Sequence, residues 1–155
     1  MPNEKDNPNV IAPPPLIFLS GLLVGVFISW FYPRSILPPS VSPLAGVFLI
    51  VAGIAFIVAA ILKMRRAATD VEPWKPTTVI IDDGVFAFSR NPIYLGMASI
   101  YLGVSFLFDS FWCLPSLVLV LLVIHYGVIV REEKYLTRKF GNEYLNYKIR
   151  VRRWI

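Results

Sequence analysis

Apolar residues fall into four long runs along the chain, which cover residues 16–32, 43–62, 92–108 and 111–130. At about 1.5 Å of rise per residue, helices of this length span roughly 25–30 Å, which matches the hydrocarbon core of a bilayer. The pattern therefore predicts an all-α integral membrane fold with four transmembrane helices.

Only Asp109 and Ser110 separate the third run from the fourth. These two helices are therefore predicted to form a tight antiparallel hairpin. Gly96 and Gly103 place small residues on one face of the third helix, which favours close helix packing. Space for a ligand is the alternative interpretation of that face.

The segments outside the runs differ in charge and composition. Residues 1–15 are polar and rich in proline, which predicts a disordered lead before a single membrane domain over residues 16–155. Residues 131–155 carry eight of the fifteen Lys and Arg residues, together with an apolar stripe at helical spacing. This pattern predicts a basic amphipathic tail on the membrane interface, with an anionic lipid surface rather than nucleic acid as its partner.

Charge in the loops predicts how the chain crosses the bilayer. Only 16% of the residues are charged, 56% are hydrophobic, and the net charge is +5. One loop, between the second and third runs, holds five cations: Lys63, Arg65, Arg66, Lys75 and Arg90. The opposite loops hold Arg34 and Asp109. Because basic loops stay in the cytoplasm, a multi-pass protein with both termini cytoplasmic is expected.

Several common site types are absent from the sequence. Cys113 is the single cysteine and His125 the single histidine, so neither a disulfide framework nor a histidine–cysteine metal site is expected. None of the nine glycines forms a G-x-G pair, which excludes the dinucleotide-binding fingerprint. A soluble nucleotide-binding domain is therefore not expected.

The segment "GVFAFSRNPIYLG" places Arg90 and Asn91 directly before Pro92, at the start of the third helix. The residue before a proline is disfavoured in helical angles, and the first amides of a helix lack internal partners. Together with Arg90 they suit an anion such as a carboxylate. The alternative is that Arg90 reaches lipid phosphates and Asn91 caps the helix.

Carboxylates also lie where the fourth run ends, in "REEKYL". Glu132 is the candidate to face inward and hold a cationic or hydroxyl-rich ligand, and exposure to solvent is the alternative. His125 lies seven residues earlier on nearly the same helical face, about 10 Å deeper. The catalytic residue is not identified, and His125 and Arg90 are the candidates.

Two motifs resemble those of a known superfamily. "GVFAFSRNPIYLG" resembles the G-x-(aromatic)-x-x-x-R-(H/N)-P-x-Y-x-G signature of the isoprenylcysteine carboxyl methyltransferases and phospholipid methyltransferases. "EEKYLTRKFGNEYLNYKIRVRRWI" resembles their C-terminal pattern E-E-x-x-L-x-x-x-F-G-x-x-Y-x-x-Y-x-x-x-V. The resemblance implies an integral membrane enzyme that transfers a methyl group from S-adenosylmethionine to a lipophilic acceptor.

Carried over by position, the resemblance implies a set of cofactor contacts. These are Thr78, Val79, Ile80, Ile81, Phe86, Asn91, Pro92, Ile93, Tyr94, Glu132 and Glu133, with Arg131 as a further candidate. Asn91 and Thr78 stand where the eukaryotic enzymes have histidine, and Val128 lies near the position of a substrate-binding arginine. No metal is implied.

The acceptor expected first is an isoprenylcysteine-like carboxylate or a related small lipid, because a carboxylate needs no general base. A phospholipid amine is the alternative within the superfamily. Two further alternatives are an NADPH-dependent reductase of sterol-like lipids and a non-catalytic membrane scaffold. Bound membrane lipids are expected in every case, and the oligomeric state is left open.

Overall fold

The computed structural model describes residues 6–38 and 40–155. In that part of the chain it contains six α-helices, two short helical turns and no β-strand, so the predicted all-α class is confirmed. In chain order these are α1 (Pro14–Phe31), α2 (Ser42–Arg66), the 3-10 turn Gly84–Ala87, α3 (Pro92–Leu107), α4 (Cys113–Ile124), the π-helical turn His125–Ile129, α5 (Val130–Phe140) and α6 (Asn142–Arg150).

Three helices of the described chain are long and apolar enough to cross a membrane: Pro14–Phe31, Ser42–Arg66 and the continuous Cys113–Phe140. Their outward faces carry exposed apolar side chains, such as Trp30 at 81%, Leu44 at 76% and Phe48 at 71% exposure. Bulky groups of this kind are stable at such positions in lipid.

The fourth predicted span, α3, has 16 residues. At about 1.5 Å per residue it reaches roughly 24 Å, which is short of a hydrocarbon core of about 30 Å. The structure therefore supports three spans by length and gives α3 as a shorter apolar helix.

The helix formed by the fourth apolar run extends beyond the apolar residues. The sequence predicts this helix over 111–130 and a separate tail from 131, but α5 continues the same helix to Phe140. Charged residues do not stop a helix; a backbone break does. That break comes at Gly141, whose φ of 54° lies in the left-handed region that glycine tolerates.

Glycines let α2 and α3 approach closely. A Cβ added to Gly53 would lie 2.6 Å from the carbonyl oxygen of Gly96, and one added to Gly103 would lie 2.6 Å from that of Gly46. The two backbones are therefore in direct contact, so this face of α3 serves packing rather than ligand binding.

The predicted hairpin between α3 and α4 is present. Asp109 has a φ of 45°, and its carboxylate accepts a hydrogen bond from the backbone N–H of Ile36 at 2.8 Å. Ser110 turns inward, where its hydroxyl lies 2.5 Å from that of Ser29 on α1. The turn is thereby tied to the other loop at this end of the molecule.

Asp6, the first described residue, and the C-terminal residues lie at the opposite end of the helices from that hairpin. The predicted lead, residues 1–15, falls partly outside the described residues (1–5). Asp6 accepts hydrogen bonds from Tyr135 at 2.8 Å and Lys139 at 2.7 Å, and α1 already begins at Pro14. On α6, Tyr144 and Tyr147 pack with Val151 in a second small core.

Candidate functional site

A cleft with about 790 Å³ of free space, part of it open to solvent, lies at the end of the molecule that holds Asp6 and the C-terminal residues. The loop after α2, the first turn of α3, α5 and α6 form its walls. Ten predicted cofactor contacts line it: Val79, Ile80, Ile81, Phe86, Asn91, Pro92, Ile93, Tyr94, Glu132 and Glu133.

Two of the predicted residues lie elsewhere. Thr78 is not part of the lining, because its hydroxyl donates to the carbonyl of Ala68 at 3.1 Å; the neighbouring Thr77 lines the cleft instead. Arg131 donates to the carbonyl of Asn9 at 2.9 Å, outside the cleft. Residues 78–81 approach the cleft as irregular chain rather than as a strand.

The two catalytic candidates are also separated. Arg90 lines the cleft, whereas His125 does not. The Nε2 atom of His125 instead accepts a hydrogen bond from the Arg153 guanidinium at 3.1 Å. His125 thus has a structural partner at the C-terminal end of the chain.

The side chain of Asn91, in the turn before α3, does not cap the helix. Its side-chain amide nitrogen donates to the carbonyl of Arg153 at 2.9 Å, and α3 has no side-chain cap. Pro92 has no N–H to satisfy, and the amide of Leu95 donates to the carbonyl of Asn91. By helix geometry the amides of Ile93 and Tyr94 have no partner within α3. The start of α3 is therefore an available anion-binding end.

The two glutamates of α5 have different surroundings. Glu132 accepts a hydrogen bond from the Tyr94 hydroxyl at 2.8 Å, which links α5 to α3 across the cleft. Glu133 is buried and faces three cations: Arg90 at 3.0 Å, Arg153 at 2.7 Å and Lys148 at 3.5 Å. Glu132 is thus the carboxylate that keeps capacity for a ligand, and Glu133 is the structural one.

Arg90 is held by this cluster without being fully satisfied. Its side chain is 7% exposed, and its Nη1 lies 3.0 Å from Glu133 and donates to the Tyr144 hydroxyl at 3.3 Å. Its Nε is buried and has no hydrogen-bond partner within residues 6–38 and 40–155. A buried donor without a partner is costly, which distinguishes this atom from the other groups of the cluster.

Two tyrosines of α6 close one side of the cleft. The Tyr147 hydroxyl donates to the carbonyl of Phe86 at 2.7 Å, which fixes the 3-10 turn against α6. Burial raises the pKa of Tyr144 to about 12 and also raises the pKa of Tyr147. Both hydroxyls are therefore protonated near neutral pH; the Tyr147 hydroxyl donates to Phe86, and the Tyr144 hydroxyl accepts from Arg90.

The fold and the cleft together define a helical integral membrane protein with a cleft of mixed polar and apolar lining at one end of its helices. Residues 41–143 match the family model described as phospholipid methyltransferase. Because that match covers more than half of the chain, the protein belongs to this family of integral membrane methyltransferases, part of the superfamily that includes the isoprenylcysteine carboxyl methyltransferases.

Other comparisons add little to this assignment. The chain is similar to an uncharacterized protein of Haemophilus influenzae, with 50% identity over 40 residues. The match covers 26% of this chain and 64% of the relative, so it spans less than two thirds of that protein's length. No solved structure matches the chain.

Proposed function

We propose that the cleft binds S-adenosylmethionine and that the protein uses it to methylate a lipophilic acceptor. One observation carries this proposal: the buried Arg90 Nε lacks a partner beside an uncapped helix start and a carboxylate with spare acceptor capacity. A ligand with both a carboxylate and donor groups satisfies all three features.

The donor set fits S-adenosylmethionine group by group. The amides of Ile93 and Tyr94, together with Arg90, suit its carboxylate. Glu132 suits its ammonium or its ribose hydroxyls, and Phe86 offers an apolar ring to the adenine or to a cationic group. When bound, the cofactor supplies an activated methyl group on a sulfonium. No metal is needed for that chemistry.

The residues of the chain position groups. Tyr94 and Glu132 join α3 to α5 across the cleft, and Tyr147 holds the 3-10 turn against α6. A fixed site of this kind accelerates a displacement mainly by alignment. An acceptor carboxylate requires no base, whereas an amine must first lose a proton, and Glu132 in the cleft lining is the candidate base for that step.

An isoprenylcysteine-like carboxylate is the first candidate acceptor, because methyl transfer to a carboxylate needs no general base. A phospholipid amine is the second candidate, which the description of the matching family supports. The lipophilic part of either acceptor enters from the bilayer, beside the helices that carry the cleft.

Calorimetry in detergent tests cofactor binding. We expect Asn91→Ala and Glu132→Ala to bind S-adenosylmethionine at least about tenfold more weakly, which corresponds to about 1.4 kcal/mol. Glu143→Ala is the matched control, because this carboxylate is exposed on α6. Absence of binding to the wild type would refute the proposal, and thermal stabilisation by NADPH instead would favour a reductase.

Radiolabelled methyl transfer in vesicles distinguishes the acceptors. A prenylated cysteine analogue should yield a methyl ester that mild base hydrolyses, releasing volatile label. Phosphatidylethanolamine should yield an N-methyl product that the same base leaves labelled. Transfer to neither compound, in a protein that binds the cofactor, would exclude both candidate acceptors.

A further inference from the structure

Arg152 and Arg153, near the C-terminal end, contact the turn before α3 through their backbone carbonyls. The backbone N–H of Arg90 donates to the carbonyl of Arg152 at 3.1 Å. Trp154 packs on the main hydrophobic core, and Val151 belongs to the small core under α6. Arg153 is therefore held in place from both sides.

Arg153 contacts three separate parts of the site. Its carbonyl accepts hydrogen bonds from the Asn91 amide at 2.9 Å and from the Ser89 hydroxyl at 3.3 Å. Its guanidinium donates to both oxygens of Glu133, at 2.8 Å and 2.7 Å, and to His125. A two-point contact of this kind fixes the plane of a carboxylate as well as its distance.

Arg153 itself does not line the cleft, whereas Asn91 and Glu133 do. Glu133 in turn contacts Arg90, which carries the buried Nε without a partner. A change at Arg153 would reach the cleft through these groups. Its contacts are therefore those of a residue that orients ligand-facing groups without touching the ligand.

We propose that Arg153 is a positioning residue, which orients Asn91 directly, and Arg90 through Glu133, for ligand binding in the cleft. This inference rests on the proposed function, since the ligand used to test it is S-adenosylmethionine. Arg153 thereby links the turn before α3 to α5.

The test compares Arg153→Gln with Arg152→Gln, which removes the same charge one residue away from an exposed side chain. Calorimetry at low temperature, where the variants are folded, should show a dissociation constant for S-adenosylmethionine about tenfold higher in Arg153→Gln. The Arg152→Gln variant should bind within about twofold of the wild type. Glu133 retains Arg90 and Lys148 as partners in both variants.

A double-mutant cycle of Arg153→Gln and Glu133→Gln tests whether Arg153 acts through Glu133. If Arg153 acts through Glu133, the double variant binds no more weakly than the weaker single variant. Additive losses would overturn the proposal. A lower melting temperature with unchanged affinity would also overturn it, because Arg153 would then contribute to stability alone.

If Arg153→Gln does not fold, Arg153→Lys provides a second test. Lysine retains the charge but loses the two-point geometry, so the proposal requires affinity between that of the wild type and a tenfold loss. Wild-type affinity in Arg153→Lys would refute positioning by geometry. If the wild type itself does not bind the cofactor, the proposed function fails before Arg153 is tested.

Discussion

The adjacent carboxylates of Glu132 and Glu133 on α5 have different partners. Glu133 is buried among Arg90, Arg153 and Lys148, whereas Glu132 has one hydrogen bond, from Tyr94. Removing the charge of Glu133 leaves three cations without their shared partner, which costs more than the charge–charge attraction itself. Glu133 should therefore contribute more to stability than Glu132 does.

We predict that Glu133→Gln lowers the stability of the ligand-free protein by about 3 kcal/mol. A fall in melting temperature on the order of 10 °C in detergent corresponds to that loss. Glu132→Gln should change the melting temperature by only a few degrees, and Glu143→Gln, on an exposed side chain, by less. Equal effects of the two α5 variants would contradict the assignment of Glu133 as the structural carboxylate.

At the residue scale, the sequence predicted the types of side chain at the cleft but not their partners. Residues adjacent in a helix point about 100° apart, so Glu132 and Glu133 meet different neighbours although both line the cleft. Which of them is neutralised depends on cations far along the chain, above all Arg153. No local pattern marks Arg153 among the other basic residues of the tail.

The first turn of α3 lines the cleft, and the contact of α3 with α2 determines where that turn lies. The contact is backbone to backbone, because glycines occupy both sides of it. A Cβ at Gly96 would lie 2.7 Å from the carbonyl oxygen of Gly53 and 2.6 Å from a side-chain carbon of Ile57. The backbone atom cannot turn aside, so α3 itself would have to shift.

We predict that Gly96→Ala costs about 1–3 kcal/mol of stability, as overpacking of a tight contact does. A lower melting temperature measures this loss, and weaker binding of S-adenosylmethionine should accompany it because Asn91 and Tyr94 move with α3. Ala55→Val is the control, since it adds carbon to an exposed position of α2. A Gly96→Ala protein as stable as the wild type would show that the helices are not in such close contact.

At the element scale, helix starts were predicted better than helix ends. Pro92 marks the beginning of α3 in both the sequence and the structure. Hydropathy, however, reports where apolar residues stop, and a helix stops where its backbone changes direction. That is why α5 extends past Glu132 to Phe140, up to Gly141.

At the scale of the whole molecule, the polar chemistry is gathered at one end. The loop after α2 meets the tail through Arg150 and Asp82 at 2.5 Å, and the N-terminal segment meets α5 through Asp6 and Lys139. The opposite end holds Asp109 and its neighbours in the hairpin. Loop charge predicts that these segments share one side of the membrane. Their contacts show that they lie together at one end of the molecule.

Which side of the membrane this end faces remains a prediction from charge, and cysteine labelling tests it. We expect Glu143→Cys to react with a membrane-impermeant maleimide only in inside-out vesicles, and Ser35→Cys only in right-side-out vesicles. Both substitutions leave the basic residues unchanged, and both positions are exposed. The native Cys113 is fully buried and serves as the unlabelled control.

The labelling pattern separates the possible arrangements. Reversed labelling of the two cysteines would place the cleft outside the cytoplasm, away from the compartment in which S-adenosylmethionine is made. Labelling of both cysteines from the same side would contradict the fold itself, because Ser35 follows α1 and Glu143 follows the span that ends at Phe140. Only labelling from opposite sides, with Glu143 inside, agrees with a cofactor site that opens to the cytoplasm.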